Sequence, residues 1–234
     1  MADKSTMPIV SLTYDGTQLC HSETVLDDLE RSGLVATFYA DPVPLLDGLP
    51  AWRHAIGAGH EIGNGCLSES LSETGLLGAW TVDMLVDDVV ETDGLIRELF
   101  PGQPTFSLSF PWNSGCTDAL SDVRAVVSDH HLVCRSGVPG LNTMDGPDLG
   151  YLKCVHMDGL NGREIIEIVR AGIRSQCWTI LSFDGVGSGD RSVEAAAHRE
   201  LCVWLTDNAD LARVATIRDA AQAFVNSPRG LRLA

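Results

Sequence analysis

Positive charge is scarce in this sequence. Lys and Arg number 16 against 32 Asp and Glu, which gives a formal net charge of −16 at pH 7. A surface of that sign repels phosphate backbones and anionic lipid headgroups. We therefore expect neither nucleic acid nor a membrane surface as a partner.

Long apolar runs are missing as well. No stretch of the sequence approaches the roughly 20 apolar residues that a membrane-spanning helix needs. Residues 1–7 are short and polar and run directly into an apolar strand, without the basic start or the apolar core of a secretory signal. These absences predict a soluble, cytoplasmic protein.

Cysteine is present, but its spacing suits neither disulfides nor a zinc finger. The cysteines form an odd, scattered set with no Cys-x-x-Cys pair, and reduced thiols in a cytoplasm are the simplest interpretation. The seven are Cys20, Cys66, Cys116, Cys134, Cys154, Cys177 and Cys202. Aromatic residues make up only 6% of the chain, so the composition gives little support to a polymer-binding module. A small-molecule substrate fits this composition better.

The sequence does contain a regular alternation of short β-type runs and longer segments of helical period. Strands are predicted at 9–14, 36–39, 61–63, 105–110, 132–135, 151–155, 178–183 and 213–216. With 234 residues, 44% of them hydrophobic, the chain can bury one large core, so we expect a single domain over residues 1–234. Seven or eight such units favour an α/β barrel over an open sheet, and in a barrel the residues that follow the strands build the site.

Several segments carry a family resemblance. Residues 11–15 read Ser-Leu-Thr-Tyr-Asp, residues 33–39 read Gly-Leu-Val-Ala-Thr-Phe-Tyr, and residues 59–64 read Gly-His-Glu-Ile-Gly-Asn. Together with residues 106–112 and 178–190, they resemble in order the motifs of the polysaccharide deacetylase family, also called the NodB-homology or carbohydrate esterase family. The resemblance implies a distorted (β/α)7-8 barrel of the TIM-like type.

The resemblance also implies a chemistry. Enzymes of this family remove acyl groups from sugars and related amides with one divalent metal, which is usually held by an Asp and two His. A further Asp, early in the sequence, acts as the general base, and a late His acts as the general acid. Carried over by position, Asp15 stands where the base is expected. Gly16, Gly65 and Glu69 stand at the three ligand positions, and Asp184 stands at that of the acid. The resemblance therefore implies a site whose metal ligands have been replaced.

We interpret this pattern as a metal-independent enzyme without a cofactor, whose catalytic residues are Asp15 and Asp184. Carboxylates that face one cavity repel one another, so one of them should hold a proton near neutral pH. Such a pair suits a lyase, isomerase, cyclase or C–N hydrolase. Two alternatives stay open: a divergent metal-dependent N-deacetylase with one divalent ion bound through Asp15, Glu69 and Asp184, and an inactive carbohydrate- or metabolite-binding protein. We expect Asp15→Asn and Asp184→Asn each to abolish turnover with little change in the thermal midpoint.

Other residues near the predicted strand ends are candidates for substrate contacts. Trp112 and Asn113 follow a strand, and an aromatic face suits a sugar or another flat ligand. Arg135 ends a strand and could anchor a substrate carboxylate or Asp15. The full predicted binding set is Tyr14, Asn64, Cys66, Glu69, Trp112, Asn113 and Arg135. The expected ligand is a small-molecule or amino-sugar-like substrate, and a homo-oligomer stays open.

Overall fold

The computed structural model describes residues 7–66, 81–103, 105–110, 131 and 133–226. Within them, seven parallel strands close a barrel, because the first strand pairs with the last as well as with the second. The barrel strands are β1 (Ile9–Asp15), β2 (Thr37–Ala40), β3 (Glu61–Asn64), β4 (Leu108–Ser109), β5 (Cys134–Pro139), β7 (Leu152–His156) and β8 (Cys177–Phe183). The closing register runs from Ile9 beside Trp178 to Tyr14 beside Phe183.

Four short strands complete the sheets. They are β6 (Asn142–Thr143), antiparallel to β8; β9 (Gly185–Val186) and β10 (Ser192–Val193), which pair with each other; and β11 (Arg213–Val214), parallel to the start of β1. The described helices are α1 (Leu26–Ser32), α2 (Pro42–Asp47), α3 (Leu49–Gly57), α4 (Val82–Leu99), α5 (Gly162–Arg174), α6 (Ala195–Asp207) and α7 (Ile217–Val225). A π-helical turn, His21–Val25, leads into α1.

Local sequence explains where several helices begin. Asn161 and Glu164 form a capping box at the start of α5, with each side chain accepting from the backbone of the other. Thr81 accepts from a backbone N–H at the start of α4. Such side chains satisfy N–H groups that the first helical turn leaves without partners. None of the described helices is long and apolar enough to cross a membrane.

Side chains alternate along the barrel strands between the interior and the surrounding helices, as the two-residue period of a strand requires. On β1, Leu12 and Tyr14 join the core beneath the helices, whereas Ile9 packs with Trp178 and Ile180 in a second cluster. On the face of β1 opposite to Leu12 and Tyr14, Asp15 has polar contacts with other strands, described below. The apolar clusters thus hold the barrel, and the polar residues cluster at the carboxyl end.

The structure confirms the predicted barrel. The expected strand at 9–14 is Ile9–Asp15, and that at 178–183 is Cys177–Phe183. Two strands are shorter than expected: the run at 105–110 forms only Leu108–Ser109, and the run at 213–216 forms only Arg213–Val214. The strand Arg213–Val214 is too short to form an eighth strand of the barrel, and among the described residues it pairs with the start of β1.

Candidate active site at the carboxyl end of the barrel

A cavity of about 240 Å³ opens at the carboxyl end of the barrel strands. Its walls come from the ends of β1, β2, β3, β4 and β8 and from the loops that follow them. Its lining side chains include Asp15, Tyr39, Asp41, Cys66, Asp184 and Arg191. Since side chains from separate strands converge there, this is where the fold can assemble a reaction site.

Asp15 is fixed at the end of β1 by two hydrogen-bond donors. Its Oδ1 accepts from Arg135 Nη2 at 2.7 Å, and its Oδ2 accepts from the Ser182 hydroxyl at 2.8 Å. Asp15 is 8% exposed and Arg135 is 4% exposed, so this is a buried ion pair. A charge-assisted pair of this kind fixes the orientation of the carboxylate.

Arg135 is the centre of a wider polar network. Besides Asp15, it donates to the hydroxyls of Ser182 (2.7 Å) and Ser109, and its guanidinium lies over the Tyr39 ring at 4.7 Å from the centroid. Of the two partners that the sequence suggested for Arg135, a substrate carboxylate or Asp15, the structure shows Asp15. Arg135 therefore supports the site from within the barrel wall, and its direct contact is with the carboxylate.

Asp184 follows β8 and has a different environment. Its Oδ2 accepts from Arg191 Nε at 2.6 Å. Burial, and next the negative charge of Asp15, raise the pKa of Asp184 from 3.8 to about 6, and Arg191 works against this rise. The site thus contains one carboxylate locked in an ion pair and one that exchanges its proton close to neutral pH, which is the separation that acid–base catalysis needs.

His21 connects the loops that carry the two carboxylates. Its Nε2–H donates to the backbone carbonyl of Asp184 at 2.6 Å, and its Nδ1 accepts from the backbone N–H of Gln18 at 3.1 Å. This pattern needs a neutral ring, and burial lowers the pKa of His21 to about 4. The loop after β1 and the loop after β8 are therefore held together by one neutral histidine.

The loops after β1, β2 and β3 pack backbone against backbone. Gly16 and Thr17 have φ angles of 90° and 46°, and the Thr17 hydroxyl bonds both the N–H and the carbonyl of Asp41 at 3.2 Å. A Cβ on Gly65 would lie 2.8 Å from the carbonyl oxygen of Ala40. The turn after β1 needs left-handed backbone, and position 65 has no room for a side chain.

Two residues predicted to bind substrate lie elsewhere. Tyr14 is fully buried on the helix side of β1, where its hydroxyl donates to Nε2 of His198 at 2.7 Å. The Asn64 amide is fully buried against α4, donating to the carbonyl of Val89 at 3.0 Å and to Asp93 at 2.7 Å. Both predictions are corrected: strand alternation turns these side chains away from the cavity, so neither can contact a substrate there.

Cys66 lines the cavity as predicted, with a left-handed φ of 64° and its N–H bonded to the Asn64 side chain at 2.9 Å. Three other predicted residues, Glu69, Trp112 and Asn113, lie outside the described residues, and their roles stay predictions.

Sequence reasoning missed several residues of the site. These are Tyr39, Asp41, Ser109, Ser182 and Arg191. A signal existed for one of them: Ser182 lies two residues before Asp184 at the end of a predicted strand, where every second residue shares a face. Arg191 had no such signal, because it comes seven residues after its partner in an irregular loop.

The sequence matches no protein-family model and no curated protein. Solved structures do match. A mutant of a peptidoglycan deacetylase from Bacillus subtilis is 18% identical, with a TM-score of 0.61, over 99% of this chain and 98% of its own. A family 4 acetyl xylan esterase from Clostridium thermocellum, in complex with a cobalt ion, is 20% identical, with a TM-score of 0.61, over 92% and 90%. A polysaccharide deacetylase from Bacillus cereus is 13% identical, with a TM-score of 0.55, over 86% and 89%.

The prediction that the chain uses no cofactor is contradicted by these comparisons. Enzymes with this fold are typically metal-dependent, and the acetyl xylan esterase contains a cobalt ion. The described residues of this chain nevertheless do not fit such an ion. Gly16 and Gly65 offer no side-chain ligand, and the positive charge of Arg135, which pairs with Asp15 at 2.7 Å, would repel a cation bound to the same carboxylate. No three described His, Cys, Asp or Glu side chains come together as metal ligands.

At 13–20% identity, these matches establish architecture. The similar structures are family 4 carbohydrate esterases and polysaccharide deacetylases, and each is covered over most of its length. The order of the motifs in the sequence, the closed ring of seven parallel strands and the full-length structural matches agree. The chain has the distorted (β/α)7 barrel fold of the polysaccharide deacetylases.

Proposed function

We propose that this chain is an enzyme that hydrolyses the acyl–nitrogen bond of a compact acylated amine, amino-sugar-like molecules included. One observation carries the proposal: Asp15 and Asp184 line one cavity at the ends of neighbouring strands, in environments that give them opposite tasks. The direction toward acyl chemistry comes from the fold, since the similar structures include peptidoglycan deacetylases and an acetyl xylan esterase.

Asp15 is suited to be the base. Arg135 and Ser182 each occupy one of its oxygens, but a carboxylate has about four acceptor positions, so capacity remains toward the cavity. It can take a proton from a water molecule that attacks the acyl carbon. The hydrogen bond from Arg135 holds the carboxylate in a fixed orientation while it does so.

Asp184 is suited to be the acid. With a pKa of about 6, a useful fraction of its side chains is protonated in mildly acidic to neutral solution. It can deliver that proton to the leaving nitrogen as the carbon–nitrogen bond breaks. Water and amide are thereby converted to a carboxylic acid and an amine, and each carboxyl group returns to its starting state when the protons re-equilibrate.

The size of the cavity supports a small substrate. About 240 Å³ accommodates one acyl group and a few neighbouring atoms. Its walls are mostly short polar side chains, with Tyr39 as the aromatic contribution from the described residues. A compact acylated amine, or the end of a larger one, fits these dimensions.

The test is acetate release from a panel of N-acetylated amines, amino acids and amino sugars, followed by proton NMR between pH 5 and 8. Asp184→Asn should lower kcat/KM by about 100-fold or more, the usual contribution of a positioned acid or base. Asp210→Asn, an exposed carboxylate in the turn after α6, is the matched control and should leave turnover unchanged. Full activity of Asp184→Asn would show that the assignment is wrong.

The same panel separates the other chemistries. Substrate consumption without acetate would point to lyase, isomerase or cyclase chemistry. If the protein binds members of the panel and no preparation of it consumes them, it is a binding protein that has lost catalysis.

A divergent metal-dependent deacetylase is the second candidate, favoured by the cobalt ion in the acetyl xylan esterase. Its ligands would be Asp15, Glu69 and Asp184, of which Glu69 lies outside the described residues. Chelator-treated protein should then gain acetate release and thermal stability with Co²⁺, Zn²⁺ or Mn²⁺, and Glu69→Gln should lose both gains while Glu73→Gln keeps them. Indifference of the protein to chelator and to all three ions would remove this candidate.

A further inference from the structure

The charges that the described residues place around the cavity do not balance. Three carboxylates line it, and two of them have a cation at contact distance: Asp15 with Arg135 at 2.7 Å, and Asp184 with Arg191 at 2.6 Å. The third, Asp41, forms no ion pair with any residue of the described chain. Among the described residues, one negative charge is therefore left over at this cavity of about 240 Å³.

Asp41 is held in place firmly. It is 9% exposed and precedes α2, where its Oδ1 accepts from the backbone N–H of Val43 at 3.0 Å. Its own backbone N–H and carbonyl are tied to the Thr17 hydroxyl at 3.2 Å, which joins it to the loop after Asp15. Among the described residues, its Oδ2 has no hydrogen-bond partner, although more than nine-tenths of the residue is buried.

A carboxylate oxygen without a protein donor depends on water for its solvation, and a ligand that displaces this water from the cavity must supply a donor in its place. Here the oxygen belongs to a side chain that lines the cavity, so a ligand in the cavity can supply the missing donor. The donor that also balances the leftover charge is a cation. A primary ammonium group brings three N–H donors and one positive charge on a compact head, which suits a small cavity.

We propose that Asp41 binds an ammonium group of the ligand, so that the substrate is a compact acylated amine carrying a second, positively charged nitrogen. This inference rests on the proposed function for the acyl group, but the ammonium contact itself does not require hydrolysis. The acylated nitrogen lies toward Asp15 and Asp184, and the free ammonium lies toward Asp41. The mono-acylated diamines are the simplest members of this class.

Three probes of matched size test the charge requirement: N-acetylethylenediamine, which is cationic; N-propylacetamide, which is neutral; and N-acetyl-β-alanine, which is anionic. Binding to the full chain is followed by titration calorimetry or ligand-observed NMR at two salt concentrations. The cation should bind about 10- to 100-fold more tightly than the neutral probe, the range expected for a hydrogen bond to a charged group. Its affinity should fall as salt rises, because screening weakens charge pairing.

Asp41→Asn is the decisive variant. Asn caps helices as well as Asp does, so the bond to Val43 and the thermal midpoint should be retained while the charge is lost. The variant should bind N-acetylethylenediamine about 10- to 100-fold more weakly and N-propylacetamide as before. Asp47→Asn, an exposed carboxylate at the other end of α2, should behave as the unmodified chain.

The other outcomes either overturn the ammonium site or separate it from the proposed hydrolysis. Equal binding of the cationic and neutral probes, or unchanged affinity in Asp41→Asn, would overturn the proposal. Displacement of N-acetylethylenediamine by millimolar Mg²⁺ in an Asp41-dependent manner would assign the carboxylate to a metal ion and would also overturn it. Asp41-dependent binding of the diamine without acetate release would uphold the ammonium site and count against the proposed hydrolysis.

Discussion

Replacement of Asp15 by Asn should unfold this protein more easily as well as inactivate it. Sequence alone predicts little change in the thermal midpoint, because a catalytic carboxylate in an open pocket is not expected to contribute to stability. The structure changes that expectation. Asp15 neutralises Arg135, whose side chain is 5% exposed, and Asn removes the charge while leaving the guanidinium buried.

The magnitude follows from the burial of the pair. Removing one partner of a buried ion pair costs about 3–5 kcal/mol, because the remaining charge is left uncompensated. Asn keeps the shape of Asp and can still accept from Arg135, so we expect the lower end, about 3 kcal/mol. For a chain of this size that corresponds to about 6–12 °C in the thermal midpoint. Asp184→Asn should not destabilise the protein at pH 7, because folding raises the pKa of Asp184, so its ionised form is disfavoured in the folded state, and its partner Arg191 is 53% exposed.

Urea unfolding followed by tryptophan fluorescence measures these differences, since Trp52 and Trp178 are both almost fully buried and report on the two apolar clusters. The control is the double variant Asp15→Asn with Arg135→Met, which removes both charges. It should be more stable than Asp15→Asn alone, because a matched apolar replacement of a buried pair is often neutral or stabilising. If Asp15→Asn unfolds within about 0.5 kcal/mol of the unmodified chain, the buried pair does not have the energetic role assigned to it.

The remaining predictions concern the titration of Asp184 and two positions outside the acid–base pair. Activity that needs protonated Asp184 should fall as pH rises through about 6, and Arg191→Gln, which removes the charge that lowers this pKa, should move that fall to higher pH in a kcat/KM profile. Because folding raises this pKa from 3.8, the contribution of Asp184 to the free energy of unfolding should decrease as the pH rises from about 4 to about 6. The urea midpoints of the unmodified chain and of Asp184→Asn, compared across this range, measure the change. A difference between the two midpoints that stays constant with pH would contradict it. Gly65→Ala should destabilise by about 1–3 kcal/mol in the same urea assay, since its Cβ would lie 2.8 Å from a backbone oxygen. Tyr14→Phe should lower the free energy of unfolding by about 1–2 kcal/mol, because the buried hydrogen bond to His198 is lost, and should leave acetate release unchanged. A loss of turnover in a folded variant would show that Tyr14 does act in the site.

Much of the site could be predicted from the order of the motifs. Asp15 and Asp184 follow strands that pair in the barrel, and both line the cavity. The errors at Tyr14 and Asn64 come from treating whole motifs as site residues. Alternation along a strand already implies that if Asp15 faces the interior, Tyr14 faces the helices. The single domain and the cytoplasmic location stay predictions from the sequence, and a homo-oligomer stays open.

The sequence by itself determined the succession of strands and helices, because hydrophobic period and capping residues act over a few positions. It also determined which residues follow the strands. Only the tertiary structure decided how those residues share their charges. Arg135 lies 120 residues from Asp15 along the chain, and Ser182 lies 167 residues away, yet both bond the same carboxylate. Closure of the barrel joins β1 to β8 and brings these side chains into contact, and the pKa of Asp184 and the leftover charge of Asp41 depend on distances that exist only once the ring has closed.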